Sequence, residues 1–242
     1  MSEPTIQIYT DVNSLAEAAA RFIVAKCVQA LSDHEHFTLA LSGGSTPRRL
    51  YELLADPEKE FRSQLDWART HFFWTDERFV PPDHADSNFR MTNEAMLSKV
   101  GVPQENIHRV MTESSNPEKV AEEYSRDIRS FFKPQNLPRF DLILLGVGTD
   151  GHTASLFPET NAVTETQKLV AAIWVKKLES FRITMTLPVL NNAKSVVFLV
   201  SGSDKARIVD EVLDKKADYP ARKVQPNAGE LVWMMDEAAA GS

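Results

Sequence analysis

The stretch Phe37-Thr-Leu-Ala-Leu-Ser-Gly-Gly-Ser-Thr-Pro-Arg-Arg-Leu-Tyr-Glu-Leu-Leu54 decides the fold class. Its first five residues carry no charge and read as a short buried strand. Gly43 and Gly44 end that strand, and from Pro47 onward Leu50, Tyr51, Leu53 and Leu54 recur at helical spacing. Pro47 suits a first helical turn, where its missing N–H would have had no partner. Strand, tight turn and helix in immediate succession form the repeating unit of a parallel α/β sheet.

Working outward, the same grammar recurs. Upstream, Ser14 to Ala30 reads as an amphipathic helix with Ser14 and Glu17 as its capping box. Downstream, His71–Thr75 reads as a strand, Asn88–Val100 as a helix capped by Ser87, Pro117–Phe132 as a helix and Phe140–Gly146 as a strand. Further strands are expected at Lys168–Val175, Arg182–Leu187, Ser195–Ser201 and Leu231–Met235, with a helix over Asp204–Leu213. The alternation predicts an α/β fold, a largely parallel sheet with helices on both faces. The Pro/Asp-rich run from Val80 to Asp86 spans only seven residues, which makes it a loop rather than a linker, so one domain over residues 1–242 is expected. Such sheets bind ligands beyond the carboxyl ends of their strands, which directs attention to the loops beginning at Ser42, Thr75, Gly146 and Ser201.

Composition narrows the function classes. A net charge of −7 opposes nucleic-acid binding, which needs a basic face. It leaves room for a small anion, provided that local N–H groups, Arg and Lys overcome the repulsive field of the whole protein. Cys27 is the single cysteine, so a disulfide framework and a multi-thiolate site are excluded and a reducing compartment, the cytoplasm, is expected. Neither a signal peptide nor a membrane span is expected, since no stretch reaches the ~18 apolar residues of a spanning helix.

The glycine loop Ser42-Gly-Gly-Ser-Thr-Pro47 offers backbone N–H groups, the hydroxyls of Ser45 and Thr46 and a helix N-terminus, all suited to phosphate; the alternative is a plain turn capped by Thr46. It is not a nucleotide P-loop, because no Gly-Lys-Ser/Thr follows. Gly146, Gly148 and Gly151 spell a G-x-G-x-x-G directly after a strand, yet only His152-Thr-Ala-Ser-Leu-Phe precedes Pro158, leaving no room for the long helix of a dinucleotide fold. These glycines instead make a tight loop that presents His152. An imidazole with the ordinary pKa of ~6.5 is a competent general base near neutral pH. Asp150, two residues earlier, is placed to orient the ring or to hold substrate; the alternative for His152 is a cap on a short helix from Thr153. No nucleophilic-serine motif is present and Cys27 lies in a helix, so covalent catalysis is not indicated.

Asp76, Glu77 and Arg78 cluster after the His71–Thr75 strand, where Arg78 either pairs with an acidic neighbour or faces a developing oxyanion. No histidine or carboxylate lies at ligand spacing from Asp76 and Glu77, so no metal site is expected. Asn88 and Arg90 are weaker candidates. Arg182 opens a strand, and Lys205 sits at the start of a helix, where a cation opposes the dipole unless an anion is bound there. His34, His36, His71, His84 and His108 form no ligand pair and are expected in structural or surface roles, as the tryptophans 67, 74, 174 and 233 are expected in the core.

Taken together, Leu41-Ser-Gly-Gly-Ser-Thr-Pro47, Asp76-Glu-Arg-Phe-Val-Pro81, Asp86-Ser-Asn88, Asp150-Gly-His-Thr-Ala-Ser-Leu-Phe-Pro158, Arg182-Ile-Thr184 and Leu187-Pro-Val-Leu-Asn191 resemble the 6-phosphogluconolactonase family. The order and spacing of these blocks are family-like from about residue 8 to residue 238, although Thr75 stands where glycine is common. The resemblance implies a fold shared with glucosamine-6-phosphate deaminases and ribose-5-phosphate isomerases. It implies hydrolysis of 6-phospho-D-glucono-1,5-lactone to 6-phosphogluconate in the oxidative pentose phosphate pathway; a monomer with a phosphorylated lactone as partner and no cofactor is expected. Within it His152 is the implied base, Gly43, Gly44, Ser45, Arg182 and Lys205 the implied phosphate holders, and Arg78 the residue near the lactone; Thr46, Asp76 and Asp150 complete the expected site.

Two rivals remain. A sibling deaminase usually continues its histidine loop with isoleucine and an F-N-E-P segment, whereas here Thr-Ala-Ser-Leu-Phe-Pro follows. A sugar-phosphate sensor would add a helix-turn-helix, for which no basic recognition helix is evident.

Overall fold

The computed structural model describes residues 3–214 and 218–241. In chain order its strands are β1 (Thr5–Tyr9), β2 (Phe37–Leu41), β3 (Thr70–Trp74), β4 (Asp76–Arg78), β5 (Ile107–His108), β6 (Leu142–Leu145), β7 (Val170–Val175), β8 (Ser180–Met185), β9 (Ser195–Val200) and β10 (Glu230–Asp236). The helices are α1 (Val12–Asp33), α2 (Ser45–Leu54), α3 (Phe61–Gln64), α4 (Asn88–Ala95), α5 (Pro117–Phe131), α6 (Leu187–Leu190), α7 (Ala206–Leu213) and α8 (Glu237–Ala240).

Seven strands form one sheet in the order β1-β10-β9-β6-β2-β3-β5, every neighbouring pair parallel. Its central strands are apolar along their length because both faces are covered, and alternate residues divide between two cores. Leu39, Leu41, Phe72, Trp74 and Leu144 pack with α1, α2 and α4. Ala40, Phe73, Leu145, Phe198 and Trp233 pack with α5, α7 and a second, smaller sheet.

That second sheet differs from expectation. The segments around Val170–Val175 and Ser180–Met185 do not join the parallel sheet; they form an antiparallel hairpin, with β4 as third strand in the order β4-β8-β7. Only residues 176–179 separate β7 from β8. That is far too short for a parallel crossover, which needs about a dozen residues or more. Asp76–Arg78, expected in a loop, is therefore itself a strand, and its register sets Arg78 directly opposite Arg182.

Other departures are local. The first helix is capped by Asp11 rather than Ser14: the Asp11 carboxylate accepts from the backbone N–H groups of Asn13 and Ser14, and the Ser14 hydroxyl returns to the Asp11 N–H. Helix α4 stops at Ala95 and a 3₁₀ turn over Leu97–Lys99 continues it, with Ser87 as the N-cap as expected. Trp67 is partly buried, and Trp74 and Trp233 lie in the core, but Trp174 is half exposed on β7 with its ring against Phe181. Its position on a three-stranded sheet that is open on one side accounts for that. Among the other histidines, His71 donates to or accepts from His108 at 3.1 Å, and His108 reaches Asp127 at 3.0 Å, a structural chain at the β3–β5 edge of the sheet. Burial, reinforced by the neighbouring His108 and His36, pushes the His71 imidazole down to about 4, so it stays neutral there.

Candidate active site

Strand order places the site. From β2 the chain proceeds outward to β3 and β5, then returns to the opposite side of β2 as β6 and continues through β9 and β10. The direction of winding reverses between β2 and β6, and the crevice beyond their carboxyl ends is where a sheet of this kind receives ligands. Leaving β2 are Ser42, Gly43 and Gly44; leaving β6 are Gly146, Val147 and Gly148. They share a cleft of about 420 Å³ with Asp76, Arg78, Asn88, His152, Ala154, Ser155, Phe157, Lys177, Leu178, Arg182 and Lys205.

The β6 loop folds back on itself through Gly151 N–H to the Gly148 carbonyl and Gly148 N–H to the His152 carbonyl, both 2.8 Å. Gly148 has no substitute here, because a Cβ on it would occupy the space of the His152 ring. The ring itself stacks on Phe157, centroids 4.1 Å apart, and its Nδ1 lies 2.5 Å from Asp150 Oδ1. A carboxylate accepts only, so Nδ1 carries the proton and Nε2 is left with its lone pair. Asp150 Oδ1 is thus the partner of the imidazole Nδ1, as the first of the two readings for this carboxylate requires. No helix begins at Thr153, which sits instead in a turn closed by a bridge to Leu156, so His152 caps nothing. Burial raises the Asp150 carboxyl, but hydrogen bonds from His152 and Lys177 outweigh it and hold the group well below the usual carboxylate range.

Across the cleft lies the positive side. Arg78 and Arg182 face each other on β4 and β8, a like-charge cross-strand pairing that costs free energy unless an anion lies between or beside them. Burial and the Arg78 charge both lower the pKa of Arg182. Arg78 donates to the Asp86 carbonyl at 2.7 Å and Arg182 to the Ser180 hydroxyl at 2.7 Å, which holds both guanidinium groups in place. Lys205 occupies a 3₁₀ turn, Ser203–Lys205, just ahead of α7 rather than the first turn of that helix, and is three-quarters buried beside Asp204.

Gly44, at φ 111°, turns the chain into α2, whose first-turn amides at Ser45 and Thr46 lack intrahelical partners as in any helix start. The cleft wall is made by Ser42, Gly43 and Gly44; the Ser45 side chain is exposed and the Thr46 hydroxyl is engaged with Ser201 Oγ at 2.7 Å, tying the β2 and β9 loops together. Asp76 lines the cleft but its carboxylate is already committed, accepting from Ser155 Oγ at 2.6 Å and from the Asn88 amide at 3.4 Å. Asn88, a weaker candidate from sequence, packs so closely on Gly43 that a Cβ there would collide with it, so it joins α4 to the glycine loop. Arg90 turns away to Glu94 and the Asp83 carbonyl.

Sequence reasoning missed Ser155, Phe157, Lys177 and Leu178 as lining residues. A lysine pair between two strands carries no signal that separates it from a solvated turn, and only the folded hairpin brings it to the cleft. Among the described residues no group of three or more His, Cys, Asp or Glu is arranged to hold a metal ion, and no helix is long and apolar enough to cross a membrane.

Fold and site together define a parallel α/β protein with a histidine–aspartate couple and a cation-lined cleft at its switch point. The chain belongs to the family described as glucosamine-6-phosphate isomerases/6-phosphogluconolactonase, whose model matches residues 10–233. A 6-phosphogluconolactonase of Synechocystis sp. is 42% identical over 241 residues, covering 98% of this chain and 97% of that one. The crystal structure of 6-phosphogluconolactonase from Thermotoga maritima superposes with a TM-score of 0.84 at 33% identity, covering 97% of this chain and 100% of that one. A monomeric glucosamine-6-phosphate deaminase shares the fold, with a TM-score of 0.82 at 17% identity over 98% of this chain and 99% of that one.

Proposed function

We propose that this chain hydrolyses 6-phospho-D-glucono-1,5-lactone to 6-phospho-D-gluconate, in the oxidative pentose phosphate pathway, with His152 as general base. The observation that carries the mechanism is the Asp150–His152 couple, with Nδ1 engaged and Nε2 without a hydrogen-bond partner among the described residues, on a cleft whose other wall holds Arg78, Arg182 and Lys205. The relatives' identity over nearly the whole chain supports the substrate.

The phosphate sits against Gly43 and Gly44 and the first-turn amides of Ser45 and Thr46, with Arg182 and Lys205 supplying charge. The ring is thereby fixed so that its C1 carbonyl faces a water on His152 Nε2. Holding reactants in this way can remove ~7–11 kcal/mol from a barrier in the best cases. Nε2 takes a proton from the water as its oxygen bonds to C1, and the carbonyl oxygen becomes an oxyanion beside Arg78. When the oxyanion collapses, the bond from C1 to the ring oxygen breaks and the imidazolium returns its proton to that oxygen. The acid product then loses its carboxyl proton to solvent. Asp76 acts as a wall of the site, holding Ser155 and Asn88. The working unit is a monomer in the cytoplasm, the compartment that a buried Cys27 without a disulfide partner suits.

The test is acid release from freshly made 6-phosphogluconolactone by wild type and His152→Ala against an enzyme-free blank. Wild type is expected to exceed the blank by orders of magnitude, and the variant to keep lactone binding while losing turnover. A wild type that matches the blank removes the assignment.

A further inference from the structure

Asp150 has two carboxylate oxygens and both are engaged. Oδ1 serves His152 Nδ1, and Oδ2 receives the ammonium of Lys177, which comes from the short turn Lys176–Leu178 between β7 and β8. The same ammonium lies 4.7 Å from the centroid of the Phe157 ring on which His152 stacks. One side chain from the small sheet therefore touches both groups that fix the imidazole. The turn that delivers it is closed by Glu179 at φ 46°, and Ala154 on the cleft wall stands at φ 47°. Left-handed conformations at residues other than glycine persist only where the surroundings over-determine them. Two of the three among the described residues flank this cluster.

A carboxylate that orients an imidazole through one oxygen can turn about its own axis and lose that alignment, the more easily because the Asp150 side chain is about one-third exposed, at 32%. Lysine has donors only, so an ammonium on the outer oxygen holds the carboxylate in one setting. We propose that Lys177 is a positioning residue for the base: by occupying Oδ2 of Asp150 it keeps Oδ1 on His152 Nδ1, and it ties the β7–β8 hairpin to the loop that carries the histidine. The inference rests on the reading of His152 as general base. The charged groups around the imidazole are Asp150 from its own loop, Lys177 from the hairpin, Lys205 from the turn before α7, and Arg78, Asp76 and Arg182 from the β4–β8 wall.

The test uses the full chain carrying Lys177→Met or Lys177→Arg, with two readouts. The first needs no turnover: the ring ¹⁵N shifts of His152 followed against pH. Wild type is expected to hold the Nδ1–H tautomer, whereas Lys177→Met should show a tautomer mixture and a titration moved to higher pH, since a cation beside the imidazolium has gone. The second is kinetic. Lys177→Met should lose kcat by roughly tenfold, the lower end of what removal of an outer orienting partner costs, with KM little changed and the acid limb of the kcat/KM profile moved to higher pH. Lys177→Arg, which preserves a donor for Oδ2, should recover most of the loss. Identical tautomer and titration in wild type and Lys177→Met would overturn the proposal, as would a loss confined to KM, which would make Lys177 a simple attractor of the anionic substrate. A wild type with no activity above the blank would end the lactonase reading, while the nitrogen shifts would still decide the role of Lys177.

Discussion

Replacing Asp150 by asparagine tests the site most directly, because the change removes no atom from the hydrogen-bond framework yet reverses one of its ends. The aspartate accepts twice, from His152 Nδ1 at 2.5 Å and from Lys177. Asparagine has one acceptor oxygen and an NH₂ group. The lysine ammonium can only donate and carries full charge, so it claims the oxygen, and the NH₂ group is left facing Nδ1. The imidazole must then accept there and carry its proton on Nε2, where a general base needs a lone pair. In a catalytic triad the same wrong-tautomer substitution lowers kcat about 10⁴-fold, or about 5 kcal/mol at ~1.4 kcal/mol per decade. Here the side chains of His152 and Asp150 are 29% and 32% exposed, so solvent can share the cost. We expect a loss of roughly 10²–10⁴ in kcat with KM changed by less than about threefold. The assay is initial-rate acid release after subtraction of spontaneous lactone opening. Adding Lys177→Met to Asp150→Asn frees the asparagine oxygen to turn toward Nδ1 and should restore part of the lost rate. If Asp150→Asn stays within about threefold of wild type, orientation of His152 by Asp150 contributes little and the reasoning fails.

Three further outcomes follow from the geometry. Gly148→Ala should cost roughly 10²-fold in kcat by displacing the His152 ring, with bound substrate analogue still detectable by titration, because misplacement by about 1 Å is enough; full activity would mean that the ring has room to move. Arg182→Ala and Lys205→Ala should each raise KM by roughly 10- to 100-fold, in line with the ~1.5–3 kcal/mol of one charge-assisted hydrogen bond, and should weaken competitive inhibition by inorganic phosphate in parallel; an effect on kcat alone would move them from the phosphate to the reacting carbonyl. Glu77 is buried and accepts from the backbone N–H groups of Arg78, Asn88 and Phe89 at 2.7, 2.7 and 2.8 Å, and burial pushes its carboxyl up from 4.5 to about 6 despite those donors. A folded-state value above the unfolded one means stability that is complete below pH ~4.5 and is lost as pH rises through about 6, an amount near 2 kcal/mol at 1.36 kcal/mol per unit. Urea denaturation of wild type and Glu77→Gln between pH 4 and 7 should show the difference moving by that amount in the variant's favour, and a pH-independent difference would refute it.

Much of the site was legible because its loops carry strong local signals. Two glycines after an apolar strand, and a histidine presented by three more, announce themselves without any partner. The carboxylate of Asp150 is two residues from His152, so their pairing was among the readings the sequence allowed. Arg78 and Arg182 were each visible as cations near strand ends. Their facing each other was not, since 103 residues lie between them and only the β4–β8 register brings them together. Lys177 gave no signal at all, because a lysine in a turn has the same composition whether it meets water or the half-buried carboxylate of Asp150.

By itself the sequence determined the alternation of apolar strands with amphipathic helices, the loops that break them and the chemistry those loops carry, since periodicity, capping and turn residues act within a few positions of the chain. Only the tertiary structure decided which strands are neighbours, that winding reverses between β2 and β6, that β7 and β8 fold away as an antiparallel hairpin, and that the hairpin returns a lysine to the loop of His152. The physical reason is that strand order depends on the joint burial of faces distant in sequence and on loops long enough to connect them, and no local pattern encodes that sum.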